Sequence, residues 1–399
     1  MLFKEVIGQE QVKQHLAEMV EQDRLSHALL FLGKEGSGAL PLALAFAQYI
    51  VSIPPPSPEV PDLFGGVTAL EPKPAFIHPD EIADQPGYQR AAQLIHPDLH
   101  FSYPVITKKA GEKPVATDFI ADWREFVQQF PYGNVFDWLQ MIGAENKQGN
   151  ITAEECNDII RKLSLKTFES EYKVLVMWMP EYLGKEGNKL LKLIEEPPAN
   201  TLFILVAENE GQILQTILSR CQLVRIPALD NAEVAQALQQ RASASPETAH
   251  QIAAIAEGNY REALALLQHA ADDWNLYLKD WLKCIVRGMM IEQVKWVDEM
   301  SKLGREKQKQ FLRYFNHLAE LSIRLKVLGA EKVAGAAEEL DIAQRINKIA
   351  GVSQLEAIIT ELDNAYYYIE RNANAKMLFQ ALTLKLHHII RNKVAVTVE

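Results

Sequence analysis

Residues 26–47, SHALLFLGKEGSGALPLALAFA, decide how this chain folds. An apolar run of strand length (28–32) meets three glycines, and an apolar run of helix length (40–51) follows. Strand, glycine loop and helix in that order make a phosphate-binding loop, whose pattern G-x-x-x-x-G-K-[ST] needs a lysine and a hydroxyl after the last glycine. Gly33, Gly36 and Gly38 stand where such a loop wants them, but the next two positions are Ala39 and Leu40. In a working loop, backbone N–H groups cradle the phosphates, the lysine neutralises their charge and the hydroxyl holds Mg²⁺. Ala39 carries no charge and Leu40 ligates no metal. Charged hydrogen bonds contribute about 1.5–3 kcal/mol each. A loop that keeps its shape without using ATP is therefore expected, with residual phosphate binding by its backbone as the other possibility.

The same alternation continues outward. Residues 9–22 have helical spacing, with Val12, Leu16, Met19 and Val20 on one face. Residues 52–86 are dense in proline and lack periodicity, which reads as an irregular excursion. A strand is expected around 99–103, a lysine-rich hairpin or loop near 107–114, and helices at 118–130 and 134–143. Residues 151–165 open with Thr152 followed by Glu155, a helix-capping signature, and carry Ile159, Ile160 and Leu163 as a stripe. Residues 172–179 (YKVLVMWM) and 200–207 (NTLFILVA) are nearly continuous apolar runs, as in central parallel strands. Residues 190–194 are helical until EEPP stops them. A short helix at 214–218 and a last strand at 223–226 complete a parallel α/β core over 1–227. Beyond it the strands cease. Residues 230–240, 246–256 and 260–270 form a small helical unit, and 272–399 are helical in pattern, with long amphipathic segments at 308–328 and 355–386.

The chain has 399 residues, 48% of them hydrophobic, enough for two or three domains with sizeable cores. It contains no apolar run of membrane-spanning length, and no secretory signal is read at MLFKEVIGQEQ. Cys156, Cys221 and Cys284 lie far apart, which fits a reducing cytoplasm and offers neither a disulfide framework nor a zinc ribbon. A net charge of −11 disfavours a wide grip on duplex DNA.

Few residues are placed for chemistry. A P-loop hydrolase carries acids at the C-terminal end of its central strand to hold Mg²⁺ and water. Here Trp178, Met179 and Pro180 occupy that end and only Glu181 is acidic. Ser219-Arg220-Cys221 sits between a short helix and the last strand; arginine is the residue used in trans to stabilise a transferring phosphoryl group. His96 and His100 are four apart, but Pro97 breaks a helix between them, so both read as structural. Arg261 in EGNYREAL could face a nucleotide, yet with Ala39 in the loop it reads as a solvated or interdomain residue. Cys221 reads as core packing beside Arg220.

FKEVIGQEQVKQHL, RLSHALLFLG, LIHPDLHF, ITAEECNDIIRKLS, NKLLKLIEEPP, TILSRCQ, EGNYREAL and IERNANAKMLF together resemble the delta-prime branch of the AAA+ clamp-loader family of bacterial DNA polymerase III. The resemblance implies three parts: an AAA+ α/β domain (1–227) with a degenerate loop and an insertion at 52–94, a helical lid (228–271) and a C-terminal helical collar for oligomerisation (272–399). It implies a non-hydrolysing stator in a cytoplasmic complex that loads the sliding clamp on primed DNA. Its partners would be gamma/tau motor subunits, the delta subunit and the clamp. Arg220, flanked by Ser219 and Cys221, would serve ATP bound by a neighbouring subunit. Many relatives carry a four-cysteine zinc module after the first helix; residues 52–94 contain no cysteine, so no zinc is expected. Two other readings remain: an active gamma/tau-like ATPase with an unusual loop, and a nucleic-acid-binding AAA+ relative.

Overall fold

The computed structural model describes residues 1–55, 76–107, 113–144, 147–268, 274–329, 337–370 and 373–392. The chain divides into two compact units, Met1–Ser243 with Ala256–Ala263, and Ala244–Ile255 with Leu264–Glu399.

The first unit is built on five parallel strands: β1 (Ala28–Gly33), β2 (Leu99–Ser102), β3 (Lys173–Trp178), β4 (Thr201–Ala207) and β5 (Gln222–Ile226), side by side in the order β2-β3-β4-β1-β5. Parallel neighbours require crossovers, which the helices supply. Between strands lie α2 (Ala39–Ser52), α3 (Tyr88–Ala92), α4 (Ile120–Gln129), α5 (Val135–Met141), α6 (Ala153–Ser164), α7 (Leu191–Glu195) and α8 (Gln215–Leu218), while α1 (Glu10–Glu21) precedes β1 and α9 (Asn231–Ala242) follows β5. Strands β3 and β4 are buried along their whole length because both sheet faces are covered. The two-residue period divides the core. Leu29, Phe31, Val176 and Ile204 face a cluster with α2 and the aromatic residues; Leu30, Leu175, Phe203 and Leu205 face Ile159, Leu163, Ile194 and Ile217. Every residue of α2 is buried, as its apolar surface on all sides requires. Trp123 anchors the first cluster, stacked on Tyr103 at 4.2 Å and packed near Trp178 at 5.3 Å.

Several sequence expectations need correction. The 107–114 loop lies mostly outside the described residues, as do residues 56–75 of the insertion. The described part of the insertion is ordered: Ile82 and Ala91 are buried, and Tyr49 Oη donates to the carbonyl of Ile77 at 2.9 Å. Residues Pro180–Leu190 form 3₁₀ turns kinked at Gly184, where φ is +51°. Thr152 does cap α6, accepting from the Glu155 N–H at 3.1 Å. Glu155 does not reciprocate; its carboxylate accepts instead from the Ala116 N–H at 2.6 Å. Burial holds that carboxyl above its usual range.

The second unit is helical. It comprises most of α10 (Pro246–Ala256), the end of α11 (Tyr260–Gln268), and α12 (Trp274–Arg287), α13 (Met290–Lys302), α14 (Arg305–Leu328), α15 (Ala337–Ile349), α16 (Val352–Glu370) and α17 (Ala375–Asn392). Its core centres on Trp281, stacked on Trp296 at 4.4 Å and donating to Thr383 Oγ1 at 2.9 Å. The amphipathic run 355–386 is two helices rather than one. Asn374 explains the restart: its side chain accepts from the Met377 N–H at 3.1 Å, capping α17. Among the described residues no helix is long and apolar enough to cross a membrane.

Candidate functional site

The glycine loop joins β1 to α2, as the sequence predicts. Gly36 and Gly38 have φ of +70° and +93°, which glycine adopts without strain. A Cβ on Gly36 would lie 1.9 Å from Asn259 Oδ1, so the loop is covered as well as tightly turned. The Tyr132 ring lies over Gly38, and Gln9 Nε2 donates to the carbonyls of Ser37 at 3.0 Å and Pro227 at 2.7 Å. Beside the loop lies an open cleft with a cavity volume of about 20 Å³, bordered by Ala39, Leu40, Tyr132 and Met179. A single buried water needs about 10–15 Å³. At the two positions after Gly38, Ala39 and Leu40 offer a phosphate neither an ammonium nor a hydroxyl.

Sequence reasoning missed what closes the loop. Glu35, inside it, accepts from Asn134 Nδ2 at 2.9 Å and Asn259 Nδ2 at 3.3 Å. Arg261 reaches the same carboxylate at 3.4 Å and binds Asp137 two-pronged, with Nε and Nη2 each 2.7 Å from a carboxylate oxygen. Asn134 and Asp137 are held by the reciprocal cap of α5. Arg261 is therefore buried at 8% exposure rather than solvated. A cation able to meet phosphate is already matched by two carboxylates of its own chain. Two sequence signals could have shown this: an acid within a phosphate-binding loop, and the N-x-x-D spacing that aims Asp137.

The strand end is equally closed. Met179 takes a left-handed φ of +59° and Trp178 is buried. Glu181 turns inward, accepting from the N–H groups of Glu208 at 2.7 Å and Asn209 at 2.9 Å. Burial raises its pKa. It is a backbone anchor for the end of β4, not an acid open to a metal.

Arg220 lies elsewhere, just after α8. Its Nε donates to Glu195 at 2.6 Å, Nη2 pairs with the same oxygen, and Nη1 donates to the Thr216 carbonyl at 2.7 Å. The side chain is 32% exposed. Ser219 Oγ lies 3.2 Å from Nη1. Cys221 is partly buried, and burial pushes its thiol up to about 11, so it is not a nucleophile at neutral pH. Glu195, the first acid of EEPP, is the partner that sequence reading did not supply.

His96 is not isolated from acids: its Nε2 is 3.1 Å from Glu169 and its Nδ1 accepts from the Asp98 N–H at 3.2 Å. Burial lowers its pKa. Burial, with Lys162 nearby, lowers that of His100 to about 4. Among the described residues no cluster of three or more His, Cys, Asp or Glu could hold a metal ion.

The family model described as "DNA polymerase III, delta subunit" matches residues 8–60 and 86–230, from α1 to just beyond β5. The chain belongs to the delta-prime/gamma–tau clamp-loader family of DNA polymerase III. Its relatives in that family include the DNA polymerase III subunit delta' of Bacillus subtilis, 25% identical over 258 residues, 65% of this chain and 59% of that protein. The subunit tau/gamma of Haemophilus influenzae is 23% identical over 274 residues, 67% of this chain and 30% of that protein. The chain thus spans between 30% and 59% of these two family members. A solved gamma subunit-related protein from Thermotoga maritima aligns over 95% of this chain and 99% of its own, at 13% identity and a TM-score of 0.39.

Proposed function

We propose that this chain is a non-hydrolysing, delta-prime-type subunit of a DNA polymerase III clamp loader. The observation that carries this reading is the loop itself: Ala39 and Leu40 follow its last glycine, and Arg261 beside it is already matched by Glu35 and Asp137. Without a lysine and a hydroxyl directly after Gly38, the loop lacks the groups that neutralise a triphosphate and hold its Mg²⁺ in a working site. Its contribution to ATP chemistry is then made to a neighbour. Arg220 presents its guanidinium to nucleotide bound on an adjacent gamma/tau motor subunit, leaving Glu195 to do so. An exposed pair of this kind contributes about 0–1 kcal/mol, so a phosphate can displace it. The delta subunit, the sliding clamp and, indirectly, primed DNA are the other partners, and the domains divide at 1–227, 228–271 and 272–399.

Isothermal titration of the isolated chain with Mg-ATP tests this directly. The expected dissociation constant is weaker than about 1 mM. Tight, Mg-dependent binding would instead support a gamma/tau-type ATPase.

A further inference from the structure

The second unit carries a groove that no part of this reading uses. Helices α12 and α15 wall an open cavity of about 250 Å³. Its floor is apolar: Leu282, Val286, Ile342, Ile346 and Ile349. An apolar cavity of about 150 Å³ binds a benzene-sized group, so this one accepts one or two large apolar side chains. The remaining lining residues are all cations, Lys279, Lys283, Arg287 and Arg345. Among the described residues no acid lines the groove.

Lys279, Lys283 and Arg287 are exposed and make no ion pair among the described residues, whereas Arg345 is paired with Asp341 at 2.8 Å. The three stand four residues apart along one face of α12, where like charges repel and weaken the helix. The helix dipole favours only Arg287, the cation in the last turn. This row of positive charge in a chain of net −11 works against its own helix and points to an external anion. The row extends about 12 Å at 1.5 Å per residue, the reach of two turns of a second helix laid alongside. Phosphate chemistry alone would leave the apolar floor unused.

We propose that this groove docks an acidic amphipathic helix of a partner protein. Apolar side chains at helical spacing fill the floor, and carboxylates on the flanking face pair with Lys279, Lys283 and Arg287. The inference is independent of the role assigned to Arg220.

A displayed library of helical peptides, selected on the full chain, is the test. A labelled peptide from each enriched class is then titrated against wild type, against the Lys279→Glu/Lys283→Glu/Arg287→Glu variant, and against Val286→Asp. These positions are exposed, and circular dichroism checks that each variant folds. The expected result is enrichment of peptides with Asp or Glu beside an apolar stripe. Their binding should weaken with salt and fall at least about tenfold in the reversal variant. No enrichment, enrichment of basic or neutral peptides, or binding indifferent to the reversal would overturn the proposal. So would self-association of the chain that the reversal abolishes, which would place a second copy in the groove. Duplex DNA binding lost on reversal, without acidic-peptide binding, would overturn it as well.

Discussion

Arg261 and Arg220 differ in burial, and burial separates their roles. Arg261 is 8% exposed and held by two carboxylates. Removing one partner of a buried pair costs about 3–5 kcal/mol because a charge is left uncompensated. Arg261→Ala is therefore expected to lower urea-unfolding stability by that amount. The double change Arg261→Met/Asp137→Asn should lose less, since it removes both charges of the two-pronged pair and leaves an oxygen to accept from the Asn134 N–H. Arg220 has the opposite character: its partner Glu195 is 43% exposed, and an exposed pair contributes little. Arg220→Ala and Glu195→Ala should each change unfolding stability by less than about 1 kcal/mol. A loss comparable to that of Arg261→Ala would make Arg220 a structural residue.

Among the elements, β2 supplies a pH dependence that can be measured. Burial and the nearby Lys162 lower His100 from 6.5 to about 4. In that interval the unfolded chain binds a proton that the folded chain does not. Stability from neutral His100 is thus full above about pH 6.5 and is lost as pH falls toward 4, amounting to about 3 kcal/mol. His100→Gln should flatten that limb of a stability-versus-pH curve; an unchanged limb would assign it to other groups. The sheet that holds His100 was legible from sequence, because fully buried strands read as unbroken apolar runs. The glycine loop was legible because its positive-φ positions are glycines. The partners of Arg261 were legible only in part: the acid in the loop and the N-x-x-D spacing mark Glu35 and Asp137, but Glu35 meets Arg261 across 226 residues of chain and no local period relates them. Residues Pro180–Leu190 were missed for a related reason: 3₁₀ turns leave no 3.6-residue pattern.

At the scale of the whole molecule, a glycine loop packed by its own chain's residues coexists with Arg220, an arginine left partly at the surface. The family match places the α/β unit among clamp-loader subunits, and the proposed function divides labour within such an assembly: neighbours hold ATP, and this chain completes a neighbour's site. The most direct measurement is DNA- and clamp-stimulated ATP hydrolysis by the reconstituted loader, with wild-type chain and with Arg220→Ala, after gel filtration shows that both assemble. A trans arginine can contribute about 10³–10⁵ in rate at one site, diluted where several sites work in parallel. The account predicts intact assembly and a clear fall in hydrolysis. Intact assembly with an unchanged rate would contradict it.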